Sequence, residues 1–331
     1  MSRLGPGEEF DLIRGILDRC SGLGGDSGPL DASGSVVVGP GDDALVLAGD
    51  PPLVISTDMT VEGVHFRRDW ISLAEAANRA VLAALSDLAG MAADPLGALI
   101  SLSVAPEDRA SVDQVAEGVA NALSRVGAPL LGGALTATPG PLILDVVVLG
   151  RAEEPMLRSQ VRAGDELWVT GPLGGAGLAL RAWMEEEEVP EEARAAFTSP
   201  TPRIREARWL TSMGGVRAGM DLSDGLAGDA AHLASASGVG VTLDSAAIPV
   251  FPGADLDLAL RGGEDYELLV AARPGALDPL SRGFEASFGT RLVRVGRAEG
   301  PAGLVLLRDA DGVTRPLTEG GFDHFRHSED P

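Results

Sequence analysis

Apolar positions along the chain fall into two rhythms, helix-spaced stretches and short strand-like runs, and the two alternate. Phe10, Leu12, Ile13, Ile16 and Leu17 predict a short amphipathic helix over Glu8–Cys20, followed by a Gly/Ser/Asp-rich loop to Gly34. The segment VVVGPGDDALVLAG predicts strand, turn and strand, with Asp42 and Asp43 in the turn. Leu53, Val54 and Ile55 predict a short strand that runs into a polar, glycine-bearing loop carrying Ser56, Thr57, Asp58, Glu62 and His65. Ser72 to Ala93 predicts a long helix. Ser72 and Glu75 make its capping box, and Ala76, Ala77, Ala80, Val81, Ala84 and Leu85 line one face. A strand over Leu96–Val104, a helix over Asp108–Val126, a tight Gly-Gly turn over Leu130–Thr138 and a strand over Leu142–Gly150 complete the first half.

The polar stretch Arg151–Gly164 is the expected junction, giving domains over 1–150 and 151–331. Beyond it, Leu167–Thr170 predicts a strand, Gly174–Met184 a helix, Thr201–Met213 a helix and Val216–Leu222 a strand. The run Glu185–Glu188 reads as a solvated helix end. A helix over Leu226–Ala236 follows, then strands over Val239–Leu243, Tyr266–Ala272, Leu292–Gly296 and Leu304–Leu307. The two halves share a rough order of strand, acidic turn, helix and strand, so the expected fold class is α/β with α+β mixing in two domains.

Composition narrows the chemistry. With 26 basic against 49 acidic residues the net charge is −23, which argues against nucleic-acid or anionic-membrane partners. An acidic protein that handles phosphates needs divalent cations to offset the repulsion. The single cysteine, Cys20, excludes an intrachain disulfide. No basic-then-apolar signal pattern is seen, and apolar runs such as Pro141–Gly150 are too short to span a bilayer, so a cytoplasmic protein is expected. All 26 basic residues are Arg. Without lysine there is no Walker A P-loop, no protein-kinase strand lysine and no pyridoxal-phosphate Schiff base. The segment GPLGGAG (171–177) is accordingly a glycine-rich strand-to-helix turn.

Acidic residues recur at the predicted turns. Asp42 and Asp43 are adjacent and repel, so they are either solvated or hold a cation. Asp87 lies near a helix C-terminus, an unfavourable place on dipole grounds. Asp221, Ser223 and Asp224 stand before a helix N-terminus, where they could cap the helix or hold a metal. Glu264 and Asp265 enter a strand through glycines. Several converging carboxylates would suit more than one Mg2+ on a polyphosphate, whereas four scattered His and one Cys show no zinc spacing.

The motifs GDDALVL, STDMTVEGVHF, LSDLAGM, GGALT, DLSDGL, GGEDYEL and GGFDHF occur in the order seen in thiamine-monophosphate kinases. The chain thus resembles that family, within the aminoimidazole ribonucleotide synthetase-like superfamily that also includes selenophosphate synthetase. The resemblance implies two α/β domains, the first dimerising, and direct γ-phosphoryl transfer from ATP to thiamine monophosphate. It implies Asp43, Ser56, Thr57, Asp58, Asp87, Asp221 and Asp224 as magnesium ligands. It further implies Gly132, Gly133, Arg158 and Ser223 at the nucleotide, and His65, Glu264 and Phe322 at the thiamine phosphate. An aromatic face at Phe322 would suit a cationic thiazolium ring. The family pattern GGDTT is here GGALT, so Ala134 stands where a metal-binding Asp is expected. Two alternatives accompany the kinase: an ATP-dependent synthetase of the same superfamily, and a weakened paralogue that binds nucleotide or thiamine phosphate without efficient transfer.

Overall fold

The computed structural model describes residues 11–12, 35–39 and 41–317. The helix expected over Glu8–Cys20, the loop that follows it and the closing GGFDHF with Phe322 lie almost wholly outside that range. The described chain is mixed α/β, built on two sheets.

The first sheet has the order β1-β2-β3-β6-β4-β5, with β1 Val36–Val38, β2 Leu45–Leu47, β3 Leu53–Val61, β4 Asp94–Val104, β5 Leu130–Ala137 and β6 Ile143–Arg151. All neighbours are antiparallel except β4 and β5. Side chains of β6 alternate strictly, with Leu144, Val146 and Val148 buried and the intervening residues half-buried. The buried face is covered by helices α1 (Leu73–Gly90) and α2 (Ser111–Val126). The capping box holds as expected: Glu75 N donates to Ser72 Oγ at 3.2 Å, and Ser72 N donates to Glu75 Oε2 at 2.9 Å.

Two expectations fail in this half. The strand expected to stop at Ile55 continues to Val61, pairing with β6 as far as Ile143. Ser56, Thr57 and Asp58 are therefore strand residues. They are polar because that end of β3 borders a cavity, where the usual pressure for apolar strand residues is absent. The expected Gly-Gly turn at Leu130–Thr138 is instead strand β5, parallel to β4. A Cβ at Gly133 would collide with the Ile100 carbonyl oxygen, so the glycine permits close strand approach and makes no turn.

The second sheet has the order β13-β12-β9-β11-β7-β10-β8. Its strands are β7 Glu166–Thr170, β8 Val216–Asp221, β9 Val241–Asp244, β10 Leu268–Ala272, β11 Leu292–Arg297, β12 Val305–Arg308 and β13 Thr314–Pro316. Its helices are α3 Gly175–Met184, α4 Glu191–Thr198, α5 Ile204–Met213, α6 Leu226–Ser237, α7 Leu256–Arg261 and α8 Ser281–Phe288. Period-two alternation divides this sheet between two cores. Trp168, Leu268 and Val270 join the core that contains α1, whereas Leu167, Val169, Leu269 and Ala271 pack in the core that contains α6. Helix α1 also meets α4, α5 and β8, so it is a wall shared by both halves. Its run of buried alanines (Ala76, Ala77, Ala80, Ala83, Ala84) lets elements close in on several sides. Trp70 and Trp183 add a stacked pair across the same seam, with centroids 5.6 Å apart.

Candidate active site

At this seam lies a cavity of about 270 Å³. The first half contributes Thr57 and Asp58 from β3, His65 from the following loop, and Arg79 and Asp87 from α1. Asp221, Ser223, Asp224 and Glu264 come from the second half, with Tyr266 beside them. The acidic turns thus converge on one space. Asp43 lies behind it: Ser56 Oγ is 2.5 Å from Asp87 Oδ2 and 3.1 Å from the Asp43 carbonyl oxygen, linking the two acidic residues. Gly90 ends α1 at this point, and any Cβ there would overlap Asp43 Oδ2 and stand 3.0 Å from Asp221 N.

The electrostatics are those of crowded, buried carboxylates. Burial, then repulsion by Glu264, pushes Asp58 up to about 6, with Arg79 opposing. Asp221 is raised to about 7 by burial and then by Asp43. Burial followed by the charges of Asp221 and Asp43 lifts Asp87 well above the usual carboxylate range. Asp43 Oδ2, Asp221 Oδ2 and Asp229 Oδ1 are buried without a hydrogen-bond partner among the described residues. Such an oxygen is costly unless something positive meets it. The carboxylates and the Ser56 hydroxyl offer oxygen donors that fit a hard divalent cation. Thr57 Oγ1 donates to Asp145 Oδ1 at 2.9 Å, and Asp224, Asp229 and His232 bring ligand atoms within 4.8 Å of one another.

The remaining expected residues sort as follows. Ser223 reaches the cavity. Arg158 pairs with Asp43, with Nε donating to Oδ1 at 2.6 Å, and its backbone N donates to both Asp42 carboxylate oxygens at 3.2 Å. His65 Nδ1 accepts from Val61 N at 3.1 Å, which fixes the ring's orientation at the cavity wall. Gly132 and Gly133 lie on exposed β5 outside the cavity lining, as does Ala134, which pairs with Ser101.

Four further residues were not singled out from the sequence. Arg79 is buried inside the alanine-rich helix, a charge among small residues that periodicity treats as an exception. Tyr266 lies in the GGEDYEL motif, but its contact with Glu264 depends on backbone geometry. Asp229 and His232 flank the Asp221–Asp224 turn from α6. Asp229 Oδ2 accepts from Asp224 N at 3.2 Å, and His232 Nε2 lies 3.4 Å from Asp224 Oδ2. Their i, i+3 spacing after an acidic turn was the available signal.

Two family models match, the AIR synthase related protein N-terminal domain over residues 41–152 and its C-terminal domain over residues 162–307. This is the class that the paired sheets and the acidic seam define. Among relatives, the thiamine-monophosphate kinase of Escherichia coli K12 is 33% identical over 339 residues, covering 96% of this chain and 98% of that one. That of Rhodopirellula baltica is 32% identical over 291 residues, covering 81% of this chain and 85% of that one. A solved structure of AaThiL complexed with AMPPCP and TMP superposes with a TM-score of 0.77 at 28% identity, covering 96% and 97% of the two chains. The chain belongs to the thiamine-monophosphate kinase family.

Proposed function

We propose that the protein transfers the γ-phosphoryl group of ATP to thiamine monophosphate, giving thiamine diphosphate and ADP. One observation carries this reading: Asp58, Asp87, Asp221 and Asp224, distant in sequence, line one cavity between the two halves. Membership of the kinase family and the likeness to AaThiL bound to AMPPCP and TMP support the choice of substrates. The attacking group is an oxygen of the acceptor phosphate, already anionic near neutral pH, so no general base is required. As its bond to the γ-phosphorus forms, the bond to the β,γ-bridging oxygen breaks and ADP leaves with the electron pair. A loose transition state of this kind asks for positioning and charge neutralisation and needs no phosphoenzyme.

Asp43, Ser56, Thr57, Asp58, Asp87, Asp221 and Asp224 are the proposed holders of divalent cation, with Mg2+ in two or more copies as our reading. Bound there, the cations would neutralise the triphosphate and the charge that builds on the transferring group. The chain's own part is to fix these oxygens before substrate arrives and to keep the seam closed to water. Ser223 and Arg158 are assigned to the nucleotide, and His65, Glu264 and Phe322 to the thiamine phosphate.

We further propose a homodimer through the first sheet. Leu130, Leu131 and Leu135 on its edge strand are 54%, 50% and 63% exposed, and the face of the sheet away from α1 carries the half-buried Val147 and Leu149. Gly132 and Gly133 would then lie at the dimer seam, where bare backbone suits close approach by a polyphosphate. The family-model limits of 41–152 and 162–307 support the division at residue 150. Among the described residues no helix is long and apolar enough to cross a membrane. A cytoplasmic location is our reading from the single cysteine.

The test is ADP release and thiamine diphosphate formation from ATP and thiamine monophosphate, with Mg2+ and with EDTA. Acceptor-dependent ADP release that EDTA abolishes is expected. Tight thiamine-phosphate binding with no ADP above the acceptor-free rate would instead favour the weakened paralogue suggested by Ala134.

A further inference from the structure

Arg79 is the one Lys or Arg side chain lining the cavity among the described residues. It is 2% exposed and comes from the middle of α1. Its guanidinium lies 4.2 Å above the Phe197 ring, its Nη2 donates to Glu264 Oε2, and its Nε is buried with no partner among the described residues. Tyr266 donates its hydroxyl to the same Glu264 oxygen at 2.6 Å. Both donors therefore fall on Oε2, and among the described residues none falls on Oε1.

The backbone agrees with this arrangement. Glu264 and Tyr266 have φ of +63° and +51°, strained for residues with a side chain. The loop is tied to the acidic turn at two points: Glu264 N donates to Ser223 O at 2.7 Å and Tyr266 N donates to Leu222 O at 2.8 Å. Between them the Asp265 carboxylate accepts from Gly174 N at 2.9 Å, anchoring the loop to the start of α3. Arg–carboxylate pairs are frequently bidentate. Here both donors share one oxygen of a residue that lines the cavity.

We infer that Arg79 and Tyr266 are positioning residues that clamp Glu264 by one oxygen, so that the other recognises the cationic, amine-bearing heterocycle of the acceptor. The inference deepens the proposed function and rests on its placing of Glu264 at the acceptor. Phe197 holds the Arg79 plane, Arg79 and Tyr266 hold Oε2, and Oε1 selects a positive or hydrogen-bond-donating partner.

Steady-state kinetics on the full-length chain with ATP and thiamine monophosphate test this, using Tyr266→Phe, Arg79→Lys, Arg79→Met, Glu264→Gln and the Tyr266→Phe/Glu264→Gln double variant. Tyr266→Phe removes one hydroxyl without stranding a buried charge, so it keeps the test usable if Arg79→Met fails to fold. The expected result is a rise of about tenfold in acceptor KM for Tyr266→Phe, with ATP KM changed less than about twofold. Arg79→Lys recovers part of the loss seen in Arg79→Met. In the Glu264→Gln background, Tyr266→Phe adds less than about twofold, because the two changes act through one carboxylate. Equal effects of Tyr266→Phe in both backgrounds, or ATP and acceptor KM rising together, would overturn the clamp. Failure of the underlying function reading is distinguishable: the wild-type chain itself would show no acceptor-dependent ADP release.

Discussion

Replacing Gly90 by alanine sets two forces in opposition. Gly90 is the last residue of a helix, where intrinsic propensity favours alanine by about 0.8–1.0 kcal/mol. By that measure the variant should be more stable. The structure argues otherwise. The new methyl would overlap Asp43 Oδ2 and stand 3.0 Å from the Asp221 backbone nitrogen, while carbon contacts relax at about 3.5–4.0 Å. The Asp221 backbone belongs to β8 and moves little, so the Asp43 carboxylate must yield by about 1 Å or more. Overfilling of this kind costs about 1–3 kcal/mol. Offset by the propensity gain, the net loss is about 0–2 kcal/mol, a fall of a few degrees in Tm. Activity should respond far more, since a misplacement of about 1 Å in a site built on position costs roughly a hundredfold. Thermal melts in EDTA and in Mg2+, beside ADP-release kinetics over a range of Mg2+ concentration, read both quantities. Gly118→Ala is the control. Its methyl would strike the Ala74 carbonyl between α1 and α2, lowering Tm without raising the Mg2+ requirement. If Gly90→Ala melts higher than the wild type and keeps its kcat and Mg2+ half-saturation, the packing argument at the acidic seam is wrong.

Other outcomes follow from the same geometry. Asp87→Asn should raise Tm in EDTA by removing a buried charge from a repelling group, yet lower kcat by at least about a hundredfold and blunt the Tm gain on adding Mg2+ with ATP. Burial pushes Asp265 up to about 8, so the stability associated with its protonated form is complete below about 3.8 and is lost as pH rises through 8. Urea midpoints in EDTA should therefore fall across pH 5–8, and Asp265→Asn should reduce that slope by up to about 1.4 kcal/mol per pH unit; an unchanged slope would contradict the assignment. Trp183→Leu removes the stack on Trp70 and the edge contact to Phe197 at 5.2 Å, so it should lower Tm by a few degrees and raise acceptor KM more than ATP KM.

The elements that could be read from the sequence are those whose burial has one cause. Helix α1 has a single capping box and a continuous apolar face, and its limits were legible to within a few residues. Strand β6 alternates because one side meets α1. Strand β3 breaks that rule: its far end borders a cavity, so Ser56, Thr57 and Asp58 looked like loop residues when they were strand. Glycines misled at Gly132–Gly133 because a close strand neighbour and a turn select the same residue. Helices α4, α7 and α8 are short and carry too few turns for periodicity to stand out. The acidic residues at the site were visible as motifs, but their meeting place was not, because it is made by the docking of the two halves. Arg79 and His232 escaped for a related reason: their partners, Glu264 and Asp224, lie on other elements.

The alanine-lined wall of α1 has a consequence for how this chain can fail. Asp58 from β3 and Asp87 from the wall itself belong to the first half, and Asp221, Asp224 and Glu264 belong to the second. Neither half contains a working set of oxygens, so chemical competence is a property of the joint. A bulky replacement at Ala80 or Ala84, touching no reactant, would part the halves by a fraction of a side chain and silence the enzyme while each sheet stayed folded.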